Sequence, residues 1–305
     1  MDGKEILKEF LIDVKEEPQS IYSFSPVYKV DEMIIKRTQS PLEKSKRLIR
    51  YTTYLNQHGV PVVLPVSLKV DNPQQIQDDC YVAYPFIQGN KYTASEKNIR
   101  QAGELLGKIH ALSPANNPYQ LPHYHVFDFY KHEVEESIVS IRQFTKQYQA
   151  NIDTERLYEH LLESVQSQEA IKAANIQWLL TPHDYKANNL IYQKQPILID
   201  PDNAIWIPKL FDLALSLLLF HNELDSAPNR VFTNEEWRWF LEEYYTYSSI
   251  KEEEKEWWLA ALNHVFLDEV MWLLAEVEED WERIEQRQLF ESVVELILNP
   301  TDYQI

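Results

Sequence analysis

The sequence predicts an α+β chain of two lobes: a small, strand-rich lobe over residues 1–88 and a larger, mostly helical lobe over residues 89–305. Three observations predict it. Short β-branched and aromatic runs bounded by turn residues fill the chain as far as Phe86. After Gly89, apolar residues recur at helical spacing instead. A chain of 305 residues is also long enough to bury a core in each part.

In the first lobe, Ser23–Val30 and Met33–Arg37 read as two strands joined at Asp31-Glu32, with Lys36 near the end of the second. Leu42–Gln57 reads as a helix with Leu48, Thr52 and Leu55 along one face and Gly59 past its end. Pro61–Leu68 and Cys80–Phe86 read as two further strands, and the polar stretch Asp71–Asp79, with Asn72 and Pro73, as the turn between them. In the second lobe, Ile99, Ala102, Leu106 and Ile109 share one face of a helix opening near Ser95. Val134, Ile138, Ile141 and Tyr148 mark a second helix, and Leu157, Leu161 and Val165 a third. Two strand-like segments, Asn189–Tyr192 and Pro196–Asp200, interrupt the helices, which resume from Phe211. No internal repeat is evident.

Composition narrows the function classes. Cys80 is the single cysteine, which excludes an internal disulfide framework and any CxxC zinc pattern. The first residues, through Glu17, are charged throughout and unlike a signal peptide. Leu213–Phe220, the longest apolar stretch, is far short of the ~20 residues of a membrane span. The expected setting is soluble, reducing and cytoplasmic, with no membrane partner. Of the net charge of −19, −14 falls on residues 231–305. That field repels nucleic acid, whose binding rests on neutralised phosphates, and attracts cations. For any single carboxylate, an ordinary solvated surface role remains the simpler reading.

The informative segment runs from Thr181 to Tyr192 and on to Pro196–Asp200. It holds Asp184, then Asn189, then Asp200 at the end of an apolar strand. Phosphoryl transfer from a nucleotide needs a carboxylate to orient or deprotonate the acceptor hydroxyl. It also needs hard oxygen ligands for the Mg²⁺ that neutralises the phosphates. An Asp and an Asn on one tight loop, with a second Asp on the adjoining strand, can surround one such volume.

These residues resemble a known family. Asp184-Tyr185-Lys186-Ala187-Asn188-Asn189 is similar to the D-x-K-x-x-N catalytic loop of protein kinases and to the HGDxHxxN loop of aminoglycoside and choline phosphotransferases. Ile197-Leu198-Ile199-Asp200 resembles the apolar segment that carries their metal-binding Asp. Phe211-Asp212-Leu213-Ala214 resembles the D-L-A element of the small-molecule branch, and no APE motif lies between Asp200 and Asp212. Gly103–His110 resembles that branch's LGxxLAxLH helix. The landmarks span nearly the whole chain, but only the two central segments are specific. The resemblance implies a bilobal protein-kinase-like fold and an ATP (or other NTP) and Mg²⁺-dependent phosphotransferase.

By the resemblance, Asp184 is the catalytic base, Lys186 reaches a phosphate oxygen, and Asn189 and Asp200 hold Mg²⁺. Lys36 holds the α- and β-phosphates, and Tyr84, Pro85 and Phe86 form the hinge whose backbone bonds adenine. For the acid that pairs with Lys36, the register puts Leu48 near the family's glutamate. Glu43, the only acid between Glu32 and Asp71, is assigned by elimination. Asp212 braces the loop. Two departures stand out. Pro182 replaces the loop's first His, with His183 where Gly or Asn is usual, and Ser23-Phe24-Ser25-Pro26 contains no glycine.

Plainer readings stand beside these. Lys36 could be a solvated edge lysine, although its place before a helix favours the nucleotide. His183 reads as a satisfied loop histidine and His110 as a packing residue. Asp202 and Asn203 divide evenly between metal contact and turn. Six of eight tryptophans follow residue 230, interleaved with carboxylates such as Asp268 and Glu269. Most read as core at helical spacing, with one or two lining a pocket for an ammonium group. The leading expectation is a kinase for a hydroxyl of a small, cationic molecule such as an aminoglycoside, choline, ethanolamine or homoserine. The alternative is a non-catalytic pseudokinase, structural or spore-coat-like. Thermal denaturation with Mg²⁺ and ATP separates the two.

Overall fold

The computed structural model describes residues 2–21, 25–38 and 40–305. The expected first strand therefore falls partly outside the described residues, which leave out Ser23 and Phe24; its remainder is strand only over β1 (Val27–Val30). Ahead of it lies a helix the sequence reading did not anticipate, α1 (Gly3–Glu9). Asp2 and Glu5 close a reciprocal capping box at its start, and Ile6 and Leu7 are buried.

With β2 (Met33–Thr38), β3 (Gln74–Ile76) and β4 (Asp79–Pro85), β1 forms an antiparallel sheet in the order β1-β2-β4-β3. Alternation along the strands sets the two faces. Ile35 and Ala83 pack with Ile6, Leu7 and Phe10 in a small core. On the opposite face, Lys36 pairs with Val82, and Val82 and Tyr84 pack with Val63. Lys36 is thereby placed on the face turned to the other lobe.

Pro61–Leu68 is not the strand expected. Its backbone meets neighbouring strands at a bridge from Val62 to Leu198 and a bond from Val66 N to Ala83 O at 3.0 Å. Pro61 and Pro65 have no N–H to give, so a continuous ladder cannot form there. The fourth strand is instead β3, inside the segment read as a turn. Helix α2 (Leu42–Gln57) matches its expected bounds. Its Leu48, Tyr51 and Leu55 belong to the large core of the second lobe, and the Tyr51 hydroxyl donates to Leu180 O at 2.8 Å.

The second lobe begins with α3 (Glu96–Ala111), capped by Ser95, then α4 (Lys131–Gln147) and α5 (Thr154–Ala173). One central β-pair was expected. The structure has two, β5 (Trp178–Thr181) with β8 (Ile205–Pro208), and β6 (Leu190–Tyr192) with β7 (Pro196–Leu198). Helix α6 (Lys209–Leu219) follows and is buried along its whole length. Helix α7 (Asn234–Tyr244) crosses α3 so closely that a Cβ on Gly103 would lie 2.1 Å from Phe240 O, and one on Gly107 2.5 Å from Tyr244 O. Glycine is required there by space.

The short α8 (Glu252–Lys255) leads to α9 (Trp258–Val265), which continues through a π turn at Phe266–Val270 into α10 (Met271–Glu276). Trp258–Glu276 is 19 residues and, by length and composition alone, apolar enough to cross a bilayer, so the reading that no segment approaches that length is corrected. Its window is 67% buried inside the fold, as for a core helix. Helices α11 (Glu278–Glu282) and α12 (Ile284–Leu298) complete the lobe.

Candidate active site

Strand β5 ends at Thr181, and the chain turns through two consecutive non-glycine residues at positive φ, His183 (59°) and Asp184 (46°). Such backbone costs energy and persists only where neighbours over-determine it. Asp212 of α6 does so. Fully buried, it accepts from Thr181 Oγ1 at 3.0 Å, His183 Nδ1 at 2.9 Å and His110 Nε2 at 2.8 Å. His110 Nδ1 then accepts from the Tyr244 hydroxyl at 2.9 Å.

The charges divide accordingly. Burial opposes an ionised Asp212, but hydrogen bonds from His110 and His183 outweigh it and hold the carboxyl well below the usual range. Burial keeps His110 neutral. Burial also works against a charged His183, yet Asp212 and Glu269 prevail and lift its pKa to about 10. Glu269, from the π turn, stands 3.8 Å from His183 Nε2, an ion pair rather than a hydrogen bond. Asp212 thus takes the bracing position expected of it, and His183 is the satisfied loop histidine.

A 3₁₀ turn at Ala187–Asn189 folds the loop back on itself. Asn189 Nδ2 donates to Asp184 O at 2.8 Å, which leaves the amide oxygen as the group able to bind a cation. The Lys186 ammonium lies 3.2 Å from Asp184 Oδ1 and donates to Glu223 Oε2 at 2.7 Å. Burial raises the pKa of Asp184, and the positive charges of Lys186 and His183 pull against that rise. Glu223, in the turn after α6, has no local motif that could have announced it.

Past β7 the chain delivers Asp200 to the cleft, where it forms an ion pair with Lys36. Lys36 also lies 3.1 Å from Asp202 Oδ2. Burial disfavours the lysine's charge, but Asp202 and Asp200 more than compensate and raise its pKa. Glu43 is not the partner. Its side chain is 77% exposed and pairs with Lys46 at 2.9 Å on the outer face of α2. Leu48, at the position expected for a glutamate, is buried in the core. Helix α2 therefore contributes no carboxylate to Lys36.

Two cavities meet at the loop. One, of about 330 Å³, is lined by Lys36, Tyr84–Phe86, Asn189 and Asp200, with Val27, Ile34 and Ile191 as apolar walls. The other, of about 460 Å³, is lined by Lys44, His183, Asn222, Glu269 and Trp272. Asp184, Lys186 and Glu223 line both. At the hinge, Pro85 carries no N–H and the Phe86 N–H donates to Glu32 O at 2.7 Å, so neither can donate to a purine. The tryptophans divide as expected: Trp237, Trp258 and Trp281 are buried, and Trp272, 43% exposed, lines the second cavity.

A family comparison agrees with this geometry. The model of the phosphotransferase enzyme family, APH, matches residues 19–244. The chain belongs to that family. No curated protein matches the sequence. Among solved structures, this phosphotransferase-family chain is similar to an amicoumacin kinase, hAmiN, in complex with AMP-PNP, Ca²⁺ and Ami, at 14% identity, TM-score 0.66, covering 99% of this chain and 94% of that one. It is similar to a spectinomycin phosphotransferase, APH(9)-Ia, in complex with ADP and spectinomycin, at 17% identity and TM-score 0.63, with 98% and 97% covered. A microcompartment-associated aminopropanol kinase gives 12%, TM-score 0.62, 97% and 94%. At these identities the likeness establishes the kinase-like fold.

Proposed function

We propose that this protein transfers the γ-phosphate of ATP or another NTP to a hydroxyl of a small, amine-bearing molecule. The observation that carries the reading is the shared wall of the two cavities, where Asp184 and Lys186 stand between the site of the Lys36–Asp200 pair and the second pocket. The nucleotide complexes of the structural neighbours support a nucleotide in the first cavity.

Each residue then has a task. Val27, Ile34 and Ile191 sandwich the base, and Lys36 holds phosphate oxygens. Among the described residues no three His, Cys, Asp or Glu side chains cluster as a metal site. Asp200 and the Asn189 amide oxygen fit instead the Mg²⁺ mode in which one or two protein ligands are completed by phosphates and water. A divalent cation held there supplies charge neutralisation. Asp184 accepts the hydroxyl proton as the acceptor oxygen bonds to the γ-phosphorus and the bond to the β-phosphate oxygen breaks, releasing the diphosphate. Lys186 stays near the transferred group, steadied by Glu223. In the second cavity, Trp272 offers an aromatic face to an ammonium group, beside the carboxylates of Glu269 and Glu223, which His183 and Lys186 already partly neutralise.

The test is ADP release with Mg²⁺ and ATP across panels of amines, amino alcohols and amino sugars. Release that depends on one class of acceptor, and is lost in Asp184→Asn, supports the reading. A nucleotide that fails to bind at millimolar concentration overturns it.

A further inference from the structure

Lys36 touches two carboxylates, and the proposed reaction leaves it only one. Asp200 is the residue proposed to hold the divalent cation, so a bound metal and Lys36 compete for the same oxygens. Asp202 differs from it in burial. It is 6% exposed, and its Oδ2 has no hydrogen-bond partner among the described residues. The 3.1 Å approach of the Lys36 ammonium is an ion pair without hydrogen-bond alignment, and it is what offsets the charge on that buried oxygen. Thr38 lies two residues beyond Lys36 on β2, on the same face of the strand. Helix α2 has no acid to offer in its place, because Glu43 faces solvent and Leu48 is in the core.

We infer that Asp202 is the positioning residue that holds Lys36 against the nucleotide phosphates, so that the lysine's anchor comes from the loop after β7 rather than from the helix between β2 and β3. Asp200 then belongs to the metal and Asp202 to the lysine. This rests on the nucleotide reading above for its role, though not for the pairing itself.

Two measurements on the full chain test it. The first is a double-mutant cycle on melting temperature without ligand. Lys36→Met leaves the Asp202 charge uncompensated and lowers the melting temperature, and adding Asp202→Asn restores part of the loss. Independent, additive losses overturn the pairing. This cycle stays informative if Asp202→Asn alone folds poorly, because the double variant is the one expected to recover. The second is the affinity for ADP and AMP-PNP with Mg²⁺. Asp202→Asn weakens binding about tenfold, the worth of one misplaced charge-assisted hydrogen bond, and loses nothing further in a Lys36→Met background. A residue that merely supports the fold leaves nucleotide affinity unchanged. A metal ligand shifts the Mg²⁺ requirement even with Lys36→Met. Either result overturns the positioning role. Failure of the unmodified protein to bind nucleotide instead overturns the proposed function, and the melting cycle still decides the pairing.

Discussion

The His183 ring nitrogen Nδ1 lies 2.9 Å from Asp212 Oδ1, a charged pair that ties the loop carrying Asp184 to the buried helix α6. Pro182 stands where the resembled loop has its first histidine, and the loop's imidazole on Asp212 comes from His183. The chain turns His183 into the left-handed region, and its ring meets Asp212 from there.

Stability should therefore depend on alkaline pH. The folded-state pKa of His183 is raised to about 10, against about 6.5 for an unfolded histidine. A raised pKa means the contribution is complete below the unfolded value and is lost as pH climbs through the folded one. Urea midpoints of the unmodified protein should fall between pH 7 and 10. His183→Asn, which tolerates the positive φ, should start lower and fall less. Parallel curves for the two proteins would remove His183 from the account.

Gly103→Ala should destabilise. In an ordinary exposed helix the change gains ~1 kcal/mol in propensity. Here the new Cβ would stand 2.1 Å from the backbone oxygen of Phe240, which cannot rotate away. Overpacking of this kind costs about 1–3 kcal/mol, so α3 and α7 must separate and the denaturant midpoint should drop. An unchanged or higher midpoint contradicts the close crossing.

How much of this was legible in sequence depends on where each interaction lies. Helix α2 was readable to its ends because its apolar face and Gly59 are local signals. The loop was legible as a motif because Asp184, Asn189 and Asp200 lie close together in the chain. Lys36 was readable as a residue but not with its partner. Glu43 is near in sequence but turned to solvent, whereas Asp200 and Asp202 are distant in sequence and meet Lys36 in space. Glu223 reaches Lys186 only because α6 returns the chain to the loop. Pro61–Leu68 had strand composition, but its prolines denied it a ladder, and Gln74–Ile76 took the edge instead.

Metal use should fall on Asn189 and Asp200. Asp200→Asn or Asn189→Ala should raise the Mg²⁺ concentration needed for half-maximal nucleotide binding, because the phosphates lose an oxygen that helps share the cation. A nucleotide complex whose ordered Mg²⁺ touches neither side chain would overturn the assignment.

The acidic lobe should act on the acceptor. If Glu223 and Glu269 and the −14 charge of residues 231–305 draw in a cation, KM for the acceptor should rise with salt at saturating ATP. A KM indifferent to ionic strength reduces that charge to ordinary surface.

Asp184 carries the chemistry in this account, and Asp184→Asn isolates it. The substitution keeps the size and most hydrogen bonding while removing the basic oxygen that faces both cavities. If that oxygen takes the acceptor's proton, kcat should fall by roughly 10²–10⁴-fold, the usual worth of a general base. Nucleotide affinity should hold, since Lys36, Asn189 and Asp200 remain. The loop should also stay folded, because its ties to Asp212 run through Thr181 and His183, and Asn189 bonds the backbone oxygen of Asp184. A residue that served only to brace the loop would show the reverse, a lower melting temperature with near-native turnover in the folded fraction. Turnover, nucleotide Kd and melting temperature measured on one preparation separate the two, and near-native turnover in stably folded Asp184→Asn would sink the phosphotransfer mechanism.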